Sequence, residues 1–425
     1  MSTKTSIEYE HAQDFLDFIS CSPSSYHAAS CSAFLLEAAG FIRHEEQQAW
    51  DVTPGGHFIV RGGALMAWYV PDGATAESGF RIIGAHNDSP GFKLKPKSDF
   101  TSHQWQQVAV EVYGGPLLSS WFDRELKIAG IIGLADGSTQ LISTQPLLRI
   151  PNLAIHLDRS NSVEIDRQQH TQPIFAVSQP QSNILEVIAK EANVAASDIV
   201  SHDLITVDAQ PGQIFGTQQD FLAAGRLDNL SSVFSGLNAL IRASYDAQTN
   251  DILVFAAFDH EEIGSGSATG AAGPILHDVL ERTGYALGAD AEQLHRMYAR
   301  SSCISADAAH SIHPNYAHKH DPANHPILGQ GPVLKTNANQ RYATSASMQA
   351  LWHKVCRQAG YSSQIFAGNN AIPCGSTIGP ITATRLGIPT VDVGIPLLSM
   401  HSARELASAH DMYVFTEILY TYLVG

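Results

Sequence analysis

The alternation of apolar and polar positions gives the chain several textures. Near the N-terminus, "SPSSYHAASCSAFLLEAAG" reads as a helix. Ser24 and Ser25 are capping candidates, Tyr26, Phe34, Leu35 and Ala38 form its apolar set, and Gly40 ends it. "GALMAWYV" is a strand that stops at the turn Pro71-Asp72-Gly73, and "GFRIIGAHNDSPG" carries a second strand into a polar tip. From Phe92 to Phe221 the segments become short, β-branched and broken by turns, as in "QVAVEVYGG", "KIAGIIGLADGST" and "QLISTQPLLRIPNLAIHL". This predicts a β-rich insert over 92–221, between two parts of one α/β unit formed by 1–91 and 222–425. In "NLSSVFSGLNALIRA", Leu230, Val233, Phe234, Leu237, Leu240 and Ile241 share one stripe of an amphipathic helix. Buried-strand segments follow in "DILVFAAF", "SCISAD" and "PTVDVGIP", separated by helical stretches such as "ATSASMQALWHKVCRQAG". Strand–helix alternation predicts a mostly parallel α/β sheet.

Composition narrows the function. At 425 residues the chain can bury a large core and divide into two domains. Charged residues make up only 16%, below the usual quarter, which fits extensive burial in an oligomer. With 25 basic against 41 acidic residues the net charge is −16, which argues against nucleic acid or an anionic membrane as partner, since both need a basic face. The five cysteines are odd in number and lack CxxC spacing. Neither a disulfide framework nor a zinc-thiolate cluster is expected, and a reducing compartment is. With no apolar signal core and no run of membrane-spanning length, the expectation is a soluble cytoplasmic protein.

The chemistry concentrates where strands end. "LVFAAFDHEEIGSGS" places Glu261 and Glu262 side by side just past a buried strand, an arrangement that repels itself unless a cation or solvent intervenes. In open α/β sheets, ligands gather at the carboxyl ends of strands. Those ends offer His86 and Asp88, Glu261 and Glu262, Asp307 and, a few residues on, His401; Asp228 opens the long helix. Singly, each has a plainer reading: a surface His-x-Asp pair, a helix cap at Asp228 or Asp307, a solvated rim at Glu261-Glu262. Jointly, imidazole and carboxylate without cysteine suit Zn²⁺, Mn²⁺ or Co²⁺. Five ligands exceed one tetrahedral site and fit two metals sharing a carboxylate, the arrangement of metal-assisted hydrolysis. One glutamate then neutralises a metal while its neighbour takes a proton from water.

At these residues the sequence resembles the aspartyl aminopeptidases, cytosolic two-metal exopeptidases, over nearly its whole length. The resemblance is carried by "SPSSYHA", "GAHNDSPGFKLKP", "IPNLAIHLDR", "GRLDNL", "FDHEEIGS", "SADAAHSIHPNY", "NQRYATSAS", "PCGSTIGPITA" and "MHSARE". It implies an α/β/α sandwich metallopeptidase domain with an inserted β-rich dimerisation domain. It also implies two divalent metals, most simply Zn²⁺, on His86, Asp228, Glu262, Asp307 and His401, with Asp228 bridging and followed by a cis peptide bond. His86 and Glu262 would serve different metals, as would Asp307 and His401. Glu261 resembles the general base, and Asp88 the carboxylate that orients His86. His156, in the insert, resembles a histidine that reaches a neighbouring subunit's site and stabilises the oxyanion; its plainer reading is a buried histidine bonded within its own domain. Lys335 matches a lysine that pairs with an acidic substrate side chain, against the plainer reading of a surface lysine beside a turn. Gly375 and Ser376, in the Gly-rich turn of "PCGSTIGP", would let the backbone approach substrate. The histidines of "HSIHPNYAHKHDPANH" (His310, His313, His318, His320, His325) would be a loop beside the site rather than ligands. Members of the family assemble as tetrahedral dodecamers built from dimers.

The chain departs from the family pattern before "PCG". An arginine and an aspartate spaced R-x-D usually stand there, whereas "GNNAIPCG" has Asn369 and Ala371; Asn87 between His86 and Asp88 is a milder departure. The expected function is removal of single N-terminal residues from peptides with a free N-terminus, with Asp or Glu preferred. Selectivity for neutral residues, deacylation of N-acyl amino acids and a non-enzymatic assembly or cargo-binding role are the rivals.

Overall fold

The computed structural model describes residues 3–160, 164–177 and 183–425. A nine-stranded mixed sheet forms the centre, in the order 42–43, 55–61, 64–70, 252–258, 80–86, 302–306, 390–394, 333–336, 364–367. Its four middle strands, Ile252–Phe258, Phe80–His86, Ser302–Ala306 and Thr390–Gly394, are parallel, so their carboxyl ends lie along one edge. Antiparallel pairings flank them at Ala64–Val70 and Val333–Thr336.

The period-2 alternation of each middle strand feeds two cores. Ile83, Ala85, Leu253, Phe255 and Ala257 face one core, shared with the helices Thr3–Cys21, Ser25–Ala38, Leu227–Asp246, Ala346–Ala359 and Ala409–Val424. Phe80, Ile82, Ile252, Val254, Ala256 and Phe258 face the other, with the helices Ile275–Ala286, Ala291–Arg300 and Ile378–Leu386. A sheet buried on both faces needs such near-continuous apolar strands. The expected α/β/α layering is therefore the observed one.

A second, antiparallel sheet takes its seven strands from Gly91–Ser102 to Ile199–Asp208. Ile199–Asp208 pairs with both Gly91–Ser102 and Glu125–Leu134, which closes the sheet into a small barrel around Phe92, Val108, Trp121, Leu126 and Ile128. A helix, Ile184–Ala192, packs on it, capped by Asn183 and ended by Asn193 in the left-handed region. Its caps were present in the sequence, but the strand texture around them hid it. Gln213–Phe215 lies outside this barrel, in a three-stranded sheet with Phe221–Ala224 and Glu405–Ser408.

Three sequence expectations need correction. The helix Ser25–Ala38 is capped by Ser24 as expected, but it buries Ala28, Ala29, Ser32, Ala33 and Leu36, and Phe34 is 68% exposed. Small residues win that face because the helix lies close against its neighbours. The helix Leu227–Asp246 is buried almost all round, Ser231, Ser232, Ser235 and Gly236 included, because the sheet covers one side and Ala409–Val424 the other. Gly236 sits against Phe255, where a Cβ would come within 2.7 Å of the ring. Finally, Cys21 and Cys31 form a disulfide, against the expectation of reduced cysteines. The tight connection between the first two helices brings their Cα atoms to 6.4 Å, inside the range a disulfide spans, although the spacing carries no motif. Among the described residues, no helix is long and apolar enough to cross a membrane.

The first helix contributes a pH-sensitive contact. His11 packs against Phe234 and Tyr413, with Nε2 3.0 Å from Thr416 Oγ1. Burial pushes its pKa down to about 4; Arg242 works in the same direction and Glu417 opposes. The folded state keeps this imidazole neutral, whereas the unfolded chain protonates it below its ordinary value near 6.5. Its contribution is complete above that value and is lost as pH falls towards 4, by up to about 3 kcal/mol. Urea unfolding at several pH values should show a shallower acid loss for His11→Gln than for the parent; equal slopes would reject this assignment.

Candidate metal centre

The parallel strands deliver their side chains to one point. His86 ends its strand in register with Phe258, after which the neighbouring chain turns through His260 in the left-handed region into Glu261 and Glu262. Asp307 follows Ala306, and His401 lies past Thr390–Gly394, itself left-handed with φ +65°. Asp228 comes from the long helix Leu227–Asp246, at a break in its first turn where Asp228 and Asn229 leave helical geometry and the bond between them is cis. Asn229 Nδ2 donates to Ala306 O (2.9 Å), and Ser89 Oγ to Asp228 O (2.6 Å), which ties this break to two strand ends.

Three sets of donor atoms lie within 4.8 Å of one another: His86, Asp228 and Asp307; Asp228, Glu262 and His401; and His86, Glu261 and Glu262. His86 Nε2 is 3.4 Å from Asp228 Oδ1 and 3.7 Å from Asp307 Oδ1. His401 Nε2 is 3.4 Å from both Asp228 Oδ2 and Glu262 Oε2. Asp228 thus offers one oxygen to each histidine. Both imidazoles are oriented from behind, since Nδ1 of His86 lies 3.0 Å from Asp88 O and Nδ1 of His401 lies 2.9 Å from Gly115 O. That arrangement leaves each Nε2 facing the cluster.

The electrostatics follow from crowding acids away from water. Burial raises Glu261 to about 7, with Asp307, Asp228 and Asp88 adding to it and His86 opposing. Burial and Asp228 push Glu262 well above the carboxylate range. Burial alone would lower His401, but Asp228 and Glu262 outweigh it and lift the imidazole to about 10. Such a cluster demands positive charge, which protons or cations can supply. Asp228 Oδ1 and Glu262 Oε1 are buried without a well-aligned hydrogen-bond donor. Orphan carboxylate oxygens converging with two imidazoles are what divalent cations bind, so the donor set fits them.

Two residues of this centre were not read from the sequence. Glu405 is 2% exposed; its Oε2 accepts from Asp228 N (3.0 Å) and its Oε1 from His401 N (2.8 Å), joining two of the cluster's members. It stands in "MHSARE", so a signal existed, but nothing there distinguished it from a surface acid. The second is Tyr113, whose hydroxyl donates to Asp88 Oδ2 at 2.7 Å.

The remaining sequence candidates are scattered. Asp88 is buried behind His86 and accepts from Glu261 N (3.0 Å) and Glu262 N (3.1 Å). His156 lies in the exposed stretch 151–160, next to the exposed Leu153, Ile155 and Leu157; it is neither buried nor part of the cluster. Lys335 is 2% exposed, not a surface residue. Its Nζ donates to Ala308 O (3.0 Å) and lies 3.6 Å from Asp307 Oδ2. Beside the cluster a cleft of about 280 Å³ is lined by His310, His313, Lys319, His320, Tyr342 and Phe366, and by Asn369, Cys374, Gly375 and Met400 among others. Gly375 O accepts from Arg341 Nε, and Ser376 Oγ donates to Arg341 O, so this turn is held from the far side. In the histidine loop, His313 N donates to His320 Nε2 (3.3 Å), His325 Nδ1 lies 2.7 Å from Asp321 O and His310 packs on Phe366, and among the described residues none of these histidines joins the donor sets.

The chain is similar to known proteins over nearly its whole length. Residues 18–423 match the family model described as aminopeptidase I zinc metalloprotease (M18). The chain is 46% identical to the probable M18 family aminopeptidase 2 of Streptomyces coelicolor, over 100% of both chains. A chain of the Ape4 and Nbr1 complex superposes with a TM-score of 0.96 at 34% identity, covering 100% of this chain and 87% of that one. The S. cerevisiae mApe1 dodecamer gives a TM-score of 0.86 at 30% identity, covering 97% of this chain and 95% of that one.

Proposed function

The chain belongs to the M18 family, as a metallo-aminopeptidase that hydrolyses N-terminal residues of peptides, and we propose that it works with two divalent cations sharing Asp228. The observation that carries this reading is the pairing of Asp228's two oxygens with His86 and His401. His86 and Asp307 would hold one cation and Glu262 and His401 the other. The family description favours Zn²⁺, and the same donors suit Mn²⁺ or Co²⁺. Bound there, the cations would polarise the scissile carbonyl and acidify water.

The chain's own groups do the rest. Glu261, with its side chain 17% exposed at the edge of the cluster, takes the proton of the attacking water and returns it to the departing amine nitrogen. Asp88 fixes the backbone of Glu261 and Glu262 and, with its carbonyl, the ring of His86. His156, presented outward between apolar neighbours, reaches the centre of a second subunit and stabilises the oxyanion there. That role requires a homo-oligomer; dimerisation through the unit 92–221 and assembly to a dodecamer fit the likeness to the yeast dodecamer. The proposed location is the cytoplasm.

For the substrate side chain we propose Asp or Glu, seated in the cleft by Gly375 and Ser376. Lys319, His310, His313 and His320 line it, and among the described residues no carboxylate does. A second reading, for neutral residues, is favoured by the commitment of Lys335 to Asp307 and Ala308 and by the Tyr342, Phe366, Ile372 and Met400 lining. Asp-, Glu- and Leu-anilides, assayed with Zn²⁺-reconstituted and chelated protein, separate them. The expected result is chelator-sensitive cleavage favouring Asp and Glu, with N-acetylated Asp-anilide untouched. A Leu preference would discard the acidic reading, and cleavage of the acetylated substrate would point to deacylation.

A further inference from the structure

The barrel of the insert contributes side-chain and backbone groups to the metal centre of its own chain. Its strand Trp105–Tyr113 ends in Tyr113-Gly114-Gly115, and each of these residues meets a different part of the site. Tyr113 Oη donates to Asp88 Oδ2 at 2.7 Å. Gly114, left-handed at φ +69°, packs so closely that a Cβ would lie 3.1 Å from Glu262 Cβ. The carbonyl of Gly115 receives His401 Nδ1 at 2.9 Å, and Leu117 N closes the loop by donating to His401 O at 2.8 Å.

Tyr113 is the informative member, because its hydroxyl acts on a carboxylate that serves several masters. Asp88 Oδ1 accepts from Glu261 N and lies 3.4 Å from His86 Nδ1, while Oδ2 accepts from Glu262 N and from Tyr113. The Asp88 carboxylate can therefore hold both glutamates and His86 only at one rotation about its own bond, and the phenol selects that rotation. The ring is fixed in turn. Lys93 Nζ sits 4.7 Å over its face and is paired with Asp203, which also accepts from Tyr26 Oη at 2.9 Å. The phenol is 7% exposed, so water does not readily substitute for it.

We propose that Tyr113 is a positioning residue of the metal centre, a side chain of the inserted barrel that holds Asp88 and through it His86, Glu261 and Glu262 in the arrangement that binds metal. The proposal rests on the two-cation reading above. Its consequence is that the α/β unit alone does not complete its own site: the insert supplies part of it within the same chain.

Tyr113→Phe removes the hydroxyl and keeps the ring and its packing. In full-length protein, Zn²⁺ is titrated against a chromophoric chelator in the absence of substrate. Both equivalents should bind about 10–100-fold more weakly than in the parent. On the anilide substrates, kcat should fall while KM stays within about twofold. Because the two groups act in series, Tyr113→Phe added to Asp88→Asn should cause little further loss of affinity. Parent-like affinity in Tyr113→Phe, or losses that add in the double variant, would overturn the proposal while two-equivalent binding by the parent left the two-cation reading standing. A parent that binds no Zn²⁺ would overturn both.

Discussion

Replacing Glu261 with glutamine should lower kcat by about 10²–10⁴-fold while leaving metal content and KM close to those of the parent. The amide has nearly the volume of the carboxylate but cannot accept and return the proton. Glu261 belongs to one donor set with His86 and Glu262, yet its carboxylate is 4.0 Å from His86 Nε2, farther than Asp228 or Asp307. It is also the more open of the adjacent glutamates, with 17% of its side chain exposed against 4% for Glu262. Its backbone is secured by Asp88 through the main-chain N–H, which the substitution does not touch. Single-turnover kinetics on Asp-anilide, with metal counted by atomic absorption on the same sample, check this. If Glu261→Gln loses a metal equivalent, the residue is a ligand and the base lies elsewhere. If turnover survives within tenfold, it is neither.

Asp228→Asn should be the most damaging change to the metal centre. Its two oxygens face different histidines, so one substitution weakens both proposed positions, and bound metal should fall from two equivalents to one or none. Turnover should drop at least as far as for Glu261→Gln, about 10²-fold or more. The backbone at this position is held independently of the side chain, by Glu405 on the N–H and Ser89 on the carbonyl, so the fold should persist. Burial acts to raise the Asp228 carboxyl, but His401 and His86 outweigh it and hold the group well below the carboxylate range. The comparison that decides is with His401→Gln, which should remove one equivalent only. Equal metal loss in the two variants would mean that Asp228 is not shared.

Much of the architecture was legible because strands declare their faces locally. "ILVFAAF" is apolar at every position and "RIIGAH" from Ile82 to Ala85, which only a sheet covered on both sides accommodates, and the polar residues that follow must then emerge at its edge. That logic reaches His86, Glu261, Glu262 and Asp307 without any knowledge of pairing order. It does not reach helices whose environment departs from the amphipathic pattern. Phe34 lies exposed and Ala33 buried because close helix contact rewards small side chains, and the serines of Leu227–Asp246 are buried because two layers enclose that helix. The Cys21–Cys31 pairing was equally silent, being set by the angle of one short connection.

The sequence by itself determined the strand and helix alternation, the strand ends and the chemical types that stand there, since each depends on residues within a few positions of one another. Only the tertiary structure decided which groups support them. Tyr113 and Gly115 reach Asp88 and His401 from a separate sheet, Glu405 spans Asp228 and His401, and Lys335 turns inward to Asp307. Most of those contacts join residues far apart in the chain; those of Tyr113 and Gly115 depend on how the barrel packs against the central sheet, and that of Lys335 on the order of the central strands. No local periodicity encodes a distance of that kind.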